Sequence, residues 1–141
     1  MKIRNFELKD FGDFLLSEEL VGKKSRFRSR FVKLANEQLA LIDSERIDLL
    51  KQYAKKDENK QPVLEDDGNS YKMEESDRNE FLNEYYNLMN EEFVVEENEA
   101  NKEMLLVIKD VVLNTERSFS GQQAMQYDRW CEIVESMYPE S

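Results

Sequence analysis

The longest uninterrupted helical pattern in this chain runs from Gly22 to Lys56 and contains no proline and no glycine after its first residue. Its apolar residues recur at spacings of three and four, which places them on one face of an α-helix. They are Phe27, Phe31, Leu34, Ala35, Leu39, Ile42, Leu49, Leu50 and Tyr53. Since a typical helix has about 11–12 residues, the pattern predicts one long helix against which the other elements pack.

Two short elements are predicted before this helix. Lys2–Phe6 is expected to be a short strand or an extended segment, and a short amphipathic helix follows it. The apolar face of that helix is formed by Leu8, Phe11, Leu15 and Leu16.

A polar stretch after the long helix carries a turn signal. Asp67-Gly68 favours a hairpin, because a type I′ turn requires positive φ at both central residues. Folding there puts Leu64 opposite Tyr71. We therefore predict a small β-hairpin at about residues 62–73, which must lean on helices because an isolated hairpin is only marginally stable.

A helix is predicted to begin after the hairpin, near Asp77. Asp77 and Glu80 have the spacing of a capping box, with Ser76 as the alternative cap. The helix ends near Glu91, and residues 93–96 are expected to form a short extended link. The inner face comprises Phe81, Leu82, Tyr85, Leu88 and Met89.

Two further elements complete the chain. The run MLLVIKDVVL, residues 104–113, is apolar nearly all round; its spacing favours a helix over 98–114, with a buried strand as the alternative. Ser120 and Gln123 form a second capping box, which opens a last helix that ends by Pro139. Its inward residues are Ala124, Tyr127, Trp130, Cys131, Val134 and Met137. The predicted fold is mainly α: one compact helical domain over residues 1–141, built on one long helix, with one small β-hairpin.

The composition argues against most catalytic and metal chemistry. The chain has no histidine, one cysteine and four scattered glycines, which removes the commonest general base, the usual zinc ligands and a phosphate-binding glycine loop. Cys131 is interpreted as a small buried hydrophobe. We therefore expect a binding protein with no catalytic residue, no cofactor and no metal site. The run MKIRNFELKDFGDF is acidic where a signal peptide is apolar, and no apolar segment is long enough to span a membrane, so a cytoplasmic location is expected.

Charge is distributed unevenly along the chain. The 31 acids and 20 cations give a net charge of −11. Residues 22–33 hold six of the cations and no acid; without those six, 14 cations remain against 31 acids, a charge of −17. The sequence thus separates one basic strip from a strongly acidic remainder.

Two explanations could account for the clustering of cations in the basic strip. The internal one pairs it with the chain's own acids between Glu91 and Glu99, and it is favoured because the acidic remainder would repel a long polyanion. The external one gives the strip an anion to bind, either nucleic-acid phosphate or an acidic partner surface. The candidate partner-binding residues are Lys23, Lys24, Arg26, Arg28, Arg30 and Lys33 in the strip, and Glu91, Glu92, Glu96, Glu97 and Glu99 in the acidic segment.

Four segments resemble a family of small uncharacterised proteins encoded by phages and prophages of Gram-positive bacteria. They are KKSRFRSRFVKLANEQ, LLKQYAKKDENKQPVLEDDGNSYKM, FLNEYYNLMNEEFVVE and SGQQAMQYDRWCEIVE, in this order from about Val21 to Glu135. In that family a glycine is more usual beside the position of Gln61, and this chain lacks it. The resemblance implies no activity and no catalytic residues. It implies a phage gene product acting in the cytoplasm of an infected host cell.

These observations favour a phage-encoded binding module that modulates or inhibits a host nucleic-acid-handling machine, such as a defence system, through its acidic surface. The expected partner is a host protein. One alternative is a nucleic-acid-binding accessory protein that uses the basic strip 23–33, and another is a virion assembly component. No membrane partner is expected, and the oligomeric state is open.

Overall fold

The computed structural model describes residues 1–139 and shows a mainly α-helical protein, which confirms the predicted fold class. The described residues include five helices and two short strands. The elements are β1 (Lys2–Arg4), α1 (Asn5–Ser17), α2 (Gly22–Tyr53), α3 (Glu75–Asn90), β2 (Glu92–Val94), α4 (Glu99–Leu113) and α5 (Gly121–Glu135). The long helix α2 has 32 residues and ends three residues before the predicted boundary.

The only two-stranded sheet among the described residues joins the start of the chain to its middle. β1 pairs with β2 in antiparallel register, with Ile3 opposite Phe93. Both segments were predicted as extended, but their pairing was not. The expected first strand was also too long, because α1 already begins at Asn5 and leaves the Phe6 side chain 54% exposed.

The predicted hairpin is present as isolated bridges. Leu64 does lie opposite Tyr71, and a second bridge joins Lys56 to Pro62. The turn differs from type I′, because Gly68 has a positive φ and Asp67 does not. Asp67 Oδ1 instead accepts hydrogen bonds from the backbone N–H groups of Asn69 and Ser70 at 2.8 and 3.2 Å. This local bonding is the reason an aspartate suits the position.

A second loop position takes a conformation that favours glycine. Lys60 has a φ of 63°, in the left-handed region. The loop is held by Asp57, whose Oδ1 accepts from the backbone N–H groups of Asn59 and Gln61 at 2.8 and 3.0 Å.

The chain divides into two compact units. Unit 1 comprises residues 1–39 and the described residues from 92 onward, and unit 2 comprises residues 40–91. The helix α2 contributes residues 22–39 to unit 1 and 40–53 to unit 2. The single domain over residues 1–141 stays a prediction.

Unit 1 contains a dense apolar core built around Phe11. The Phe11 ring lies edge-on to Phe31, with ring centroids 5.8 Å apart, and tilted against Trp130 at 5.1 Å. The predicted inner face of α4 is buried in this core: Met104, Leu105, Ile108, Val111 and Val112. Helix is therefore the correct choice between helix and buried strand for that run.

Two faces predicted for unit 1 need small corrections. Leu16 was expected on the inner face of α1 but is 54% exposed. Trp130 and Val134 on α5, and Met137 just after it, are buried as predicted, whereas Ile133 is a core residue that the pattern missed. Ala124, Tyr127 and Cys131 are half-buried.

Unit 2 has far less apolar burial. Its buried apolar residues are Ile42, Ala54 and Leu88. Of the predicted inner face of α3, Leu88 is buried, but Leu82 is 52% exposed. The rings of Phe81 and Tyr85 stack on one another, with centroids 5.9 Å apart.

Both predicted capping boxes are absent. The helix α3 begins at Glu75, two residues before the predicted cap, and the N-cap residue Glu74 makes no side-chain cap bond. Ser120 is the N-cap of α5, as predicted, but its side chain also makes no cap bond. The side-chain cap appears instead at α4, where Asn98 Oδ1 accepts from the backbone N–H of Asn101 at 2.8 Å.

Candidate functional site

The first two cations of the basic strip are paired with acids of α4 in unit 1. Lys23 contacts Glu103, and Lys24 Nζ lies 2.7 Å from Asp110 Oδ2. These ammonium groups lie in the first turn of α2, where cations oppose the helix macrodipole. The pairing offsets that cost. The internal explanation thus applies to them, with partners on α4 in place of the predicted segment between Glu91 and Glu99.

Arg28 caps the end of another helix. Its Nη1 donates to the carbonyl oxygens of Leu15 and Glu18 at 2.8 and 2.7 Å. The final carbonyls of a helix have no intrahelical donor and carry partial negative charge. The guanidinium satisfies two such carbonyls at the end of α1 and fixes α1 against α2. Arg28 is therefore a structural residue.

The remaining three cations of the strip form no salt bridge among residues 1–139. Arg26, Arg30 and Lys33 are exposed and, on a helix, fall within about sixty degrees of one another. With Ser25 and Ser29 they line a shallow recess of about 250 Å³. We call these five residues the open strip.

The open strip has one internal support. The guanidinium carbon of Arg30 lies 4.7 Å from the centroid of the Phe27 ring, a cation–π distance. The Phe27 ring itself is 9% exposed. The open strip therefore presents only charged and hydroxyl groups to solvent.

The predicted acidic segment does not form one site with the basic strip. Glu91 follows α3 in unit 2, and Glu92 lies opposite Arg4 in the β1–β2 register. Glu97 Oε1 is 3.6 Å from the Met1 ammonium group. The other two, Glu96 and Glu99, are exposed on either side of the Asn98 cap.

A polar cleft of about 610 Å³ in unit 1 lies between the ends of α1 and α4. Two of its four carboxylates, Glu18 and Asp110, are already bonded. Glu18 Oε1 accepts from the Thr115 hydroxyl at 2.8 Å and lies 3.4 Å from Arg117 Nη1. Hydrogen bonds from Lys24 and from Asn114 lower the pKa of Asp110. A lowered pKa keeps this carboxyl ionised, the opposite of what a general acid needs near neutral pH.

A half-buried ion pair stabilises unit 1. Arg129 Nε and Nη2 donate to the two carboxylate oxygens of Glu7 at 2.6 and 3.1 Å, and this pairing raises the pKa of Arg129. Glu7 also accepts from the backbone N–H of Arg4, at 3.3 Å. The bidentate pair therefore joins α5 to the first turn of α1.

Unit 2 holds an acidic groove that the sequence analysis did not identify. It has a volume of about 300 Å³ and lies between the second half of α2 and α3. Leu49 and Leu88 are the apolar residues of its lining. The polar lining consists of Glu45, Asp48, Gln52, Glu84, Asn87 and Glu91. The spacing of three and four between these polar residues on each helix was a signal that could have located the groove.

Among the described residues, no group of three or more histidine, cysteine, aspartate or glutamate side chains is arranged to hold a metal ion. No helix in the part of the chain that the structure describes is long and apolar enough to cross a membrane.

Comparison of the chain with protein-family models, with curated proteins and with solved structures found no match.

Proposed function

We propose that this protein is a phage-encoded binding module that acts in the host cytoplasm and modulates a host nucleic-acid-handling protein through the acidic surface of unit 2. The observation that carries the proposal is the exposure of the carboxylates on this unit. All of its acidic residues are exposed except the half-buried Asp77: Asp43, Glu45, Asp48, Asp57, Glu58, Glu65, Asp66, Asp67, Glu74, Glu75, Glu80, Glu84 and Glu91.

Few of these carboxylates are neutralised within unit 2. Its ion pairs among the described residues are Arg46 with Asp43 and Lys55 with Glu74. The other acids face solvent and supply the negative field that a basic cleft attracts. Six of these exposed acids lie on α2 and α3, where neighbours three or four residues apart, such as Glu45 and Asp48 or Glu80 and Glu84, are about 5–6 Å from one another. A protein that binds a phosphate backbone presents cations that such an array can engage.

Unit 2 also exposes an apolar pair on α3. Tyr86 and Leu82 lie four residues apart on α3 and are 69% and 52% exposed. Binding energy at protein interfaces concentrates on a few side chains, with tyrosine prominent among them. On a helix these two side chains lie on the face opposite Glu84 and Glu91, so they form a contact surface separate from the groove.

The test is capture of host proteins from a nuclease-treated lysate at low and high salt. Three groove carboxylates are neutralised in the variant D48N/E84Q/E91Q. A control variant, E37Q/D128N/E135Q, removes the same charge from exposed acids of unit 1. We expect the groove variant to lose a partner that the control retains, and the capture to fall steeply as salt rises, because exposed charges are screened.

The captured protein must also bind DNA or RNA by itself, and adding this protein should displace that nucleic acid. Capture that is equal for both variants, or that is insensitive to salt, would contradict the acidic-surface mechanism. Capture of a partner that does not bind nucleic acid would contradict the class of target.

A further inference from the structure

The basic strip of α2 consists of cations with different neighbours. Lys23, Lys24 and Arg28 are bonded to α4 acids or to α1 carbonyls. In the open strip, Arg26, Arg30 and Lys33 form no salt bridge among the described residues, although they lie on the same helix within three turns. Three of the six cations are therefore bonded to other elements of the fold, and the three of the open strip are not.

The open strip is unfavourable for the helix that carries it. Arg26 and Arg30 are four residues apart, and Arg30 and Lys33 are three apart, so the like charges are neighbours on the helix surface and repel. Of the three open cations, only Arg30 lies over the Phe27 ring, which Lys23 also approaches. A bound anion would remove this repulsion, and two guanidinium groups offer planar, bidentate donors to it.

From this arrangement we infer that the open strip binds the phosphodiester backbone of a nucleic acid without reading its bases. The strip is about 12 Å long, at 1.5 Å per residue from Ser25 to Lys33, which is room for a short run of phosphates. The Phe27 ring is 9% exposed, so no ring is available for a base to stack on.

The composition of the strip favours a nucleic acid over an acidic protein. A protein interface normally has an apolar centre within a polar rim. The open strip contains two arginines, a lysine and two serines and no exposed apolar side chain. Such a surface matches a backbone of regularly spaced anions better than it matches a folded partner.

The acidic remainder limits this binding without abolishing it. Charges separated by more than about 10 Å are largely screened at 0.1 M salt, so distant acids have little effect on binding at the strip. They repel nucleic acid from the rest of the surface. The binding should thus be local, involve about three cations and depend strongly on salt. It goes beyond the proposed function and does not depend on it, because that proposal uses the carboxylates of unit 2.

The experiment measures binding of a fluorescent 20-nucleotide oligo(dT) by anisotropy, with a 20-base-pair duplex as a second probe and poly-glutamate as a third. For three cations the affinity for oligo(dT) should fall about twentyfold between 50 and 200 mM salt. In the variant R26Q/R30Q, which keeps one cation, binding should weaken at least tenfold at low salt. Its remaining affinity should fall only about threefold over the same salt range.

The matched control is K23Q/K24Q, which removes the same charge from the same helix. It should retain oligo(dT) binding within about twofold, since Lys23 and Lys24 are paired with Glu103 and Asp110. R26Q/R30Q should melt at the same or a higher temperature.

Three results would overturn the inference: no binding of either nucleic-acid probe at 50 mM salt, equal loss in the two variants, or tighter binding of poly-glutamate than of oligo(dT). Capture of a host protein by R26Q/R30Q at the level of the unmodified protein would show that the proposed function stands separately.

Discussion

Unit 1 and unit 2 are both mainly helical but are stabilised in different ways. Unit 1 buries side chains from α1, α2, α4 and α5 around Phe11 and adds the Glu7–Arg129 pair. Unit 2 buries three apolar residues and depends on local hydrogen bonds in its loops. The comparison shows that helical periodicity alone does not determine how much of a helix is buried, because α2 belongs to both units.

The difference has a consequence for dynamics. Regions with few buried apolar contacts and many exposed backbone hydrogen bonds open locally at a lower free energy than a core does. Unit 2 fits that description, and it also carries the exposed acidic surface. A weakly buried unit can adjust to a partner at little cost to the core of unit 1.

The largest expected effect comes from emptying the centre of unit 1. Phe11→Ala removes a ring with no exposed surface that contacts Phe31 and Trp130. We expect the free energy of unfolding to fall by about 3–5 kcal/mol, the range for large-to-small changes in a packed core. Urea denaturation followed by circular dichroism measures it. A loss below about 1 kcal/mol would mean that unit 1 is no better packed than unit 2.

A smaller effect is expected in unit 2. Leu88 is its buried leucine and is 6% exposed. We expect Leu88→Ala to cost about 2 kcal/mol, the low end for such a change, because few neighbours surround the cavity. Hydrogen exchange should speed up in α3 and stay unchanged in α4. Equal acceleration in both helices would show that the two units unfold as one.

The smallest effect is expected from the loss of one hydrogen bond in unit 1. The Tyr127 hydroxyl donates to the carbonyl oxygen of Val112 at 2.7 Å, and burial, followed by the Cys131 side chain and nearby acids, raises its pKa to about 12. We expect Tyr127→Phe to cost about 1 kcal/mol at pH 8, the typical value of one hydrogen bond.

The sign of the pH dependence follows from the raised pKa. The folded state holds the phenol proton more tightly than the unfolded state, whose pKa is near 10. The stabilisation is thus complete below pH 10 and is lost as the pH rises toward 12. Denaturation of both proteins at pH 8 and pH 11.5 should show that the advantage of the unmodified protein shrinks. An equal difference in unfolding free energy at both pH values would mean that folding does not raise the pKa of Tyr127.

Much of the fold was predictable because helical patterns are local. The apolar spacing of Met104, Leu105 and Ile108 identified α4, and the Asp67-Gly68 turn placed Leu64 opposite Tyr71. Helix starts were less predictable. Glu75 begins α3 two residues before the expected cap, because helix ends fray and a cap residue alone does not fix them.

The candidate site was predictable only as a set of residues. The six cations were identified, but their division into bonded and open groups depends on α4, which passes the start of α2 with Glu103 and Asp110. About eighty residues separate these partners from Lys23 and Lys24, and no periodicity along the chain relates them. For the same reason, the sequence did not predict the pairing of β1 with β2 or the groove between α2 and α3.

The amino-acid sequence by itself determined the helical class, the long helix and the separation of a cationic segment from an acidic chain. These properties depend on residues within a few turns of one another. Only the tertiary structure decided which cations are neutralised, which carboxylates share a groove and which apolar faces are buried. Each of those outcomes depends on which distant segments pack together. No pattern within a few turns of the chain specifies that packing.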